Sequence, residues 1–194
     1  MNEAVQDQRS GRVIFISHCF LNQNAKVRGI AQFAGIHKPL INLLTKHDIG
    51  IFQMPCPEMS YLGPMRWGQV KDQYNTPMFR RHCENIAEQV MDQASEYHRA
   101  GYELVGFIMV DGSPVCGLNR TAQPIRETDQ WGGMVWYTPE QQFAQDCGVF
   151  CKIIQAALVA RGFTDIPFVG LPEVDEAGSM ADALEEISGI LENT

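Results

Sequence analysis

Three of the six cysteines stand at positions suited to chemistry. Cys19 lies in Ile16-Ser17-His18-Cys19-Phe20, Cys56 in Met54-Pro55-Cys56-Pro57-Glu58, and Cys116 in Ser113-Pro114-Val115-Cys116-Gly117. Each follows a run of apolar, β-branched or aromatic residues that reads as a buried strand. Proline or glycine beside Cys56 and Cys116 makes stiff turns with open backbone amides, and such amides stabilise thiolates. Taken singly, each cysteine reads equally well as core, because free Cys is among the most buried residue types. All three at the carboxyl ends of successive strands favours a shared site. The other three read as core: Cys83 sits on the apolar stripe of a helix, and Cys147 and Cys151 are four apart on one helix face with Phe143, Ile154 and Leu158.

Polar residues cluster near the same strand ends. Glu58 follows Cys56 by two and is suited to deprotonate or position a water; its plainer roles are capping a helix or pairing with Arg66. Asp111 and Ser113 could orient a substrate or form an Asx- or Ser-turn in the Gly-Ser-Pro loop. His18 could donate a proton, although a hydrogen-bonded structural imidazole is the commoner role. Glu173 is a further acid/base candidate at that edge. Trp67, Trp131, Trp136 and Tyr137 offer rings on which a planar heteroaromatic would stack, or which simply pack loops onto the domain.

The elements that must position these residues alternate. Arg12 to Ser17, Gly50 to Met54, Leu104 to Val110 and Ile166 to Gly170 read as strands. Helices are expected over Pro39 to His47, from Thr76-Pro77 to Gly101, from Thr138-Pro139 to about Arg161-Gly162, and over Met180 to Leu191. The stretch from Asn119 to Tyr137 reads as irregular. This order predicts an α/β fold with a mainly parallel sheet of about four strands and helices on both faces, Rossmann-like or flavodoxin-like in three layers. Residues 1–194 read as a single domain, with 1–11 a flexible N-terminus. In such folds a ligand sits outside the carboxyl ends of the strands, where the three cysteines fall. No glycine-rich phosphate loop follows the first strand, so a dinucleotide or P-loop site has no support.

Composition narrows the partners. The chain has 194 residues, 45% apolar and 20% charged, which excludes a disordered tail and allows a full core without disulfides. Acidic residues outnumber basic ones 23 to 15, a net charge of -8, so nucleic acid polymers and anionic membranes are poor partners. With neither a secretory signal nor a membrane-spanning apolar run, the expected location is the cytoplasm, where thiols stay reduced. Oligomeric state is left open.

Three converging thiolates suit few metals. Structural zinc takes four closed ligands, and catalytic zinc rarely uses three cysteines alone. A [4Fe-4S] cluster held by three thiolates instead of the usual four keeps one iron open, a soft Lewis acid that favours sulfur. Two rivals remain: a cysteine hydrolase with His18 as base, and a non-catalytic iron–sulfur or metal-binding module.

Ile16-Ser17-His18-Cys19-Phe20-Leu21, Cys56-Pro57-Glu58 with Gly63 and Arg66, and Ser113-Pro114-Val115-Cys116-Gly117 together resemble the three blocks of the thiouracil desulfidase family. The resemblance spans about Arg12 to Gly117 and keeps the order and approximate spacing of the blocks. It implies a [4Fe-4S] cluster held by Cys19, Cys56 and Cys116, and a small thiolated substrate such as a 2-thiouracil-like nucleobase whose sulfur meets the open iron. Water activated by Glu58 or another carboxylate would then replace sulfur by oxygen, with sulfide released. Asp111 and Ser113 are the accompanying catalytic candidates, and His18, Arg66 and Trp67 the substrate-binding ones.

Overall fold

The computed structural model describes residues 7–123 and 142–193. Its centre is a four-stranded parallel sheet of β1 (Arg12–Ser17), β2 (Gly50–Met54), β3 (Glu103–Asp111) and β6 (Phe168–Pro172), in the order β2-β1-β3-β6. The expected α/β fold is present. Strand order reverses between β1 and β3, and in open α/β sheets such a switch opens a crevice at the carboxyl edge.

Strand pleating sends successive side chains to opposite faces, and each face meets its own helices. Val13, Phe15, Phe107 and Met109 pack against α4 (Pro77–Arg99) and α5 (Val149–Ala160). Ile14, Ile16, Ile108 and Val110 face α1 (Lys38–Lys46) and α6 (Met180–Glu192). Across the first face runs a ladder of rings, one per strand: Phe52, Phe15, Phe107 and Phe168 have successive centroids 4.9, 4.7 and 5.0 Å apart. In-register aromatic pairs of this kind fix which strands are neighbours and in what register.

Helix α4 follows its sequence signals. Thr76 accepts a hydrogen bond from the Phe79 amide, Pro77 opens the first turn, and Phe79, Cys83, Ile86, Val90 and Ala94 bury one stripe. Gly101, at φ +83°, takes the left-handed conformation that turns the chain into β3. Ser179 caps α6 in the same way as Thr76 caps α4.

The stretch between β3 and α5 departs from expectation. Arg120–Gln123 forms β4 and pairs antiparallel with β5 (Gln142–Gln145), so neither is irregular or helical. Helix α5 starts only at Val149, with Gly148 as its N-cap, and Cys147 precedes the helix that carries Cys151. The expected helix start at Thr138-Pro139, together with Trp131, Trp136 and Tyr137, lies outside the described residues, as do the first six positions of the N-terminus. Two short helices complete the fold: α2 (Pro57–Leu62) and α3 (Lys71–Tyr74). No described helix is long and apolar enough to cross a membrane.

Candidate functional site

A cavity of about 260 Å³ opens at the carboxyl edge of the sheet, and Cys19, Cys56 and Cys116 all line it. Three local devices bring them there. Cys19 sits in a single 3-10 turn, His18–Phe20, that breaks the chain directly after β1. Cys56 is the N-cap of α2, and its Sγ accepts the Met59 amide at 3.4 Å; Pro57 and Glu58 supply the proline and the acid that a first helical turn favours.

Cys116 is held by the loop that follows β3. Asp111 gathers this loop with its carboxylate: Oδ1 accepts the amides of Leu118 and Asn119, both at 2.8 Å, and Oδ2 accepts the Asn119 side-chain amide at 3.0 Å. Ser113 Oγ accepts the amides of Val115 and Cys116 at 3.2 and 2.9 Å. Both residues line the cavity; Ser113 makes the Ser-turn open to it from sequence, whereas Asp111 bonds amides seven and eight residues on and so closes the whole loop instead of forming an Asx-turn. Gly117 permits the tight winding, because a Cβ there would fall on the Arg120 carbonyl.

Electrostatics ties the three thiols together. Burial pushes Cys19 and Cys56 up to about 11, with Glu58 adding to the rise at Cys56. Cys116 is raised further, by burial and then by Cys56 and Cys19. Thiols buried side by side, with Cys56 opposing ionisation of both Cys19 and Cys116, are poorly stable as bare anions, and a bound cationic centre would favour their thiolates. No group of three or more His, Cys, Asp or Glu among the described residues closes around a single metal ion. Three thiols lining one cavity are soft donors of the kind that a [4Fe-4S] cluster takes.

Two charged systems share the cavity wall. Glu58 Oε2 accepts Arg66 Nε at 3.1 Å and the Tyr74 hydroxyl at 3.0 Å, and Oε1 takes no hydrogen bond among the described residues. Arg66, 8% exposed, also donates to the carbonyls of Gly63 and Ala25. The second system joins Glu173, expected at this edge from sequence, to residues that were not legible there: Lys26 forms a buried ion pair with Glu173, whose other oxygen accepts the Gln23 amide. Gln23 Nε2 also donates to the Cys19 carbonyl at 3.1 Å. Lys26 reaches the site only through tertiary folding, and an isolated lysine ordinarily reads as surface.

Two of the expected substrate-binding residues do not line this cavity. Trp67 is 63% exposed. His18 accepts Gln53 Nε2 at its backbone carbonyl, at 3.0 Å, and burial lowers the pKa of its imidazole. Cys83 is fully buried in the core, as expected.

The Arg66–Glu58 pair sets a stability prediction. Arg66→Met leaves the Glu58 carboxylate with only Tyr74, and breaking a buried pair from one side costs about 3–5 kcal/mol. Urea unfolding of the variant should show a loss of that order. A midpoint equal to that of the parent protein would mean that water already supports the pair.

No protein-family profile matches the sequence. Uncharacterized protein MJ0003 of Methanocaldococcus jannaschii is 34% identical over 107 residues, which is 55% of this chain and 68% of that protein. Among solved structures, the [4Fe-4S]-dependent thiouracil desulfidase TudS superposes with a TM-score of 0.51 at 18% identity, covering 94% of this chain and 99% of its own. At that identity the likeness is one of fold.

Proposed function

We propose that this chain, which belongs to the family of MJ0003, is a cytoplasmic iron–sulfur-dependent desulfidase that removes sulfur from a small thiolated compound, a 2-thiouracil-like nucleobase being the example. The observation that carries the reading is the meeting of Cys19, Cys56 and Cys116, from three strand ends, in one cavity with the Glu58 carboxylate. The superposition on TudS supports it at the level of fold.

Cys19, Cys56 and Cys116 would hold a [4Fe-4S] cluster, which supplies an iron with an open position, a soft Lewis acid for a thiocarbonyl sulfur. The protein's own groups do the rest. Glu58, oriented by Arg66 and Tyr74 through Oε2, lines the cavity and takes a proton from the attacking water. The Lys26 ammonium, balanced by Glu173, lines the same cavity and would offset negative charge that gathers as the carbon–sulfur bond weakens. Asp111 and Ser113 keep the Cys116 loop in place. Val27, Ile30, Val110 and Phe143 give the cavity apolar walls for a small ring. The net reaction is hydrolytic: a C=S group and water become a C=O group and hydrogen sulfide, with no electron transferred.

Anaerobically purified protein is expected to contain about four iron and four sulfide per chain, the stoichiometry of one such cluster, and to release sulfide from 2-thiouracil. Activity that survives metal removal would indicate a cysteine hydrolase instead. A bound cluster with no turnover of any thiolated base would indicate a non-catalytic module.

A further inference from the structure

Most polar side chains around the cavity are already engaged by the protein. Lys26 is paired with Glu173 and Arg66 with Glu58, so each cation that lines the cavity among the described residues is neutralised by a carboxylate. Asp111 and Ser113 accept the amides of their own loop, and Gln32 Nε2 donates to the Ile30 carbonyl at 3.3 Å. Gln69 is the exception. It lines the cavity and is half-buried, yet its side-chain amide makes no hydrogen bond among the described residues.

The backbone at Gln69 is held from both sides. Before it, Arg66 donates to the carbonyls of Gly63 and Ala25 and to the Glu58 carboxylate. After it, Val70 is the N-cap of α3, and its amide donates to Gln73 Oε1 at 2.9 Å. A backbone fixed in this way leaves the side chain a small set of rotamers. A primary amide offers N–H donors and a carbonyl acceptor side by side. It therefore pairs through two parallel hydrogen bonds with any ring edge that carries a matching donor and acceptor, as glutamine does with adenine. Val27, Ile30, Val110 and Phe143 are apolar and cannot compete for it.

We propose that Gln69 is the specificity-determining residue of this cavity and reads an edge with an N–H next to a C=O. On the desulfidase reading, on which the identity of the ring rests, that edge is N3–H and C4=O of a 2-thiouracil-like base. The Gln69 carbonyl accepts from N3–H while its NH₂ donates to the C4 oxygen. A thiolated ring without this pair leaves the amide unmatched and is selected against.

The test measures binding by isothermal titration calorimetry on intact, anaerobically purified protein. The ligands are uracil, 2-thiouracil and their 3-methyl derivatives, in which a methyl group replaces the N3 hydrogen. The parent protein should bind the unmethylated rings more tightly by roughly 10-fold or more, the scale of one or two neutral hydrogen bonds. Gln69→Leu, with native-like circular dichroism, should lose that factor and bind both members of each pair alike. The comparison of ligands on the parent protein needs no variant. Sulfide release measured on the same samples reports separately on the chemistry: discrimination in binding without sulfide release would uphold the role of Gln69 and end the desulfidase reading. Equal binding of methylated and unmethylated rings by the parent protein, discrimination that survives in Gln69→Leu, or no binding of any of the rings would overturn the proposal.

Discussion

Cys19→Ala, Cys56→Ala and Cys116→Ala proteins, purified anaerobically, are expected to be essentially free of iron and acid-labile sulfide, while Cys83→Ser keeps the parent content. The three thiols line one cavity and come from three separate strand ends, so no neighbour can replace a lost ligand without moving a whole turn. Two thiolates hold a cluster far less securely than three, because the remaining irons are opened to solvent. Loss of iron must be told apart from loss of fold, and the structure allows that. The core consists of two clusters on opposite faces of the sheet, and the three cysteines are only partly buried at their margin. Circular dichroism should therefore stay native-like in all three variants. Iron retained after loss of any one of them would remove that residue from the ligand set.

Much of this site is legible in the sequence because its parts are local. β1, β2 and α4 announce themselves by apolar period and by Thr76-Pro77, and the ligand rule for α/β sheets then points to the carboxyl edge. Helix α2 is harder to see, although Cys56-Pro57-Glu58 has the form of a helix start: a polar cap, proline at the first position and an acid behind it. Residues 138–161 mislead for a physical reason. Phe143, Cys147, Cys151, Ile154 and Leu158 recur at helical spacing, but Gly148 ends the pattern in an extended conformation at φ -66°, ψ 162°, and Phe143 belongs to β5. The β4–β5 pairing joins segments some twenty residues apart, and no local signal in four residues of mixed polarity specifies it. Lys26 and Glu173 lie far apart along the chain and find each other only when β1 and β6 take their places on either side of β3.

Glu58→Gln separates the chemistry of the cavity from its construction. The substitution keeps the length of the side chain, and its carbonyl oxygen can still accept from Arg66 and Tyr74, so the cavity wall should stay in place. It removes the one property the proposed role requires, the capacity of a carboxylate to take a proton. Iron content should match that of the parent protein, and a thiolated base should still perturb the cluster spectrum, while its oxygen analogue does so far less, since soft sulfur prefers the open iron. Turnover should fall by roughly 100-fold or more, the scale of general acid–base assistance. Some stability should be lost as well, because Arg66 is buried and would face a neutral partner in place of an anion. Unchanged turnover would transfer the role of base to Asp111 or Glu173, the other two carboxylates that line the cavity, and for Glu173 the pairing with Lys26 would then have to open during the reaction. Loss of iron would give Glu58 a different task. It would make the first turn of α2, with Cys56 at its cap, dependent on the Glu58–Arg66 pair, and the carboxylate would be holding a ligand in place rather than activating water.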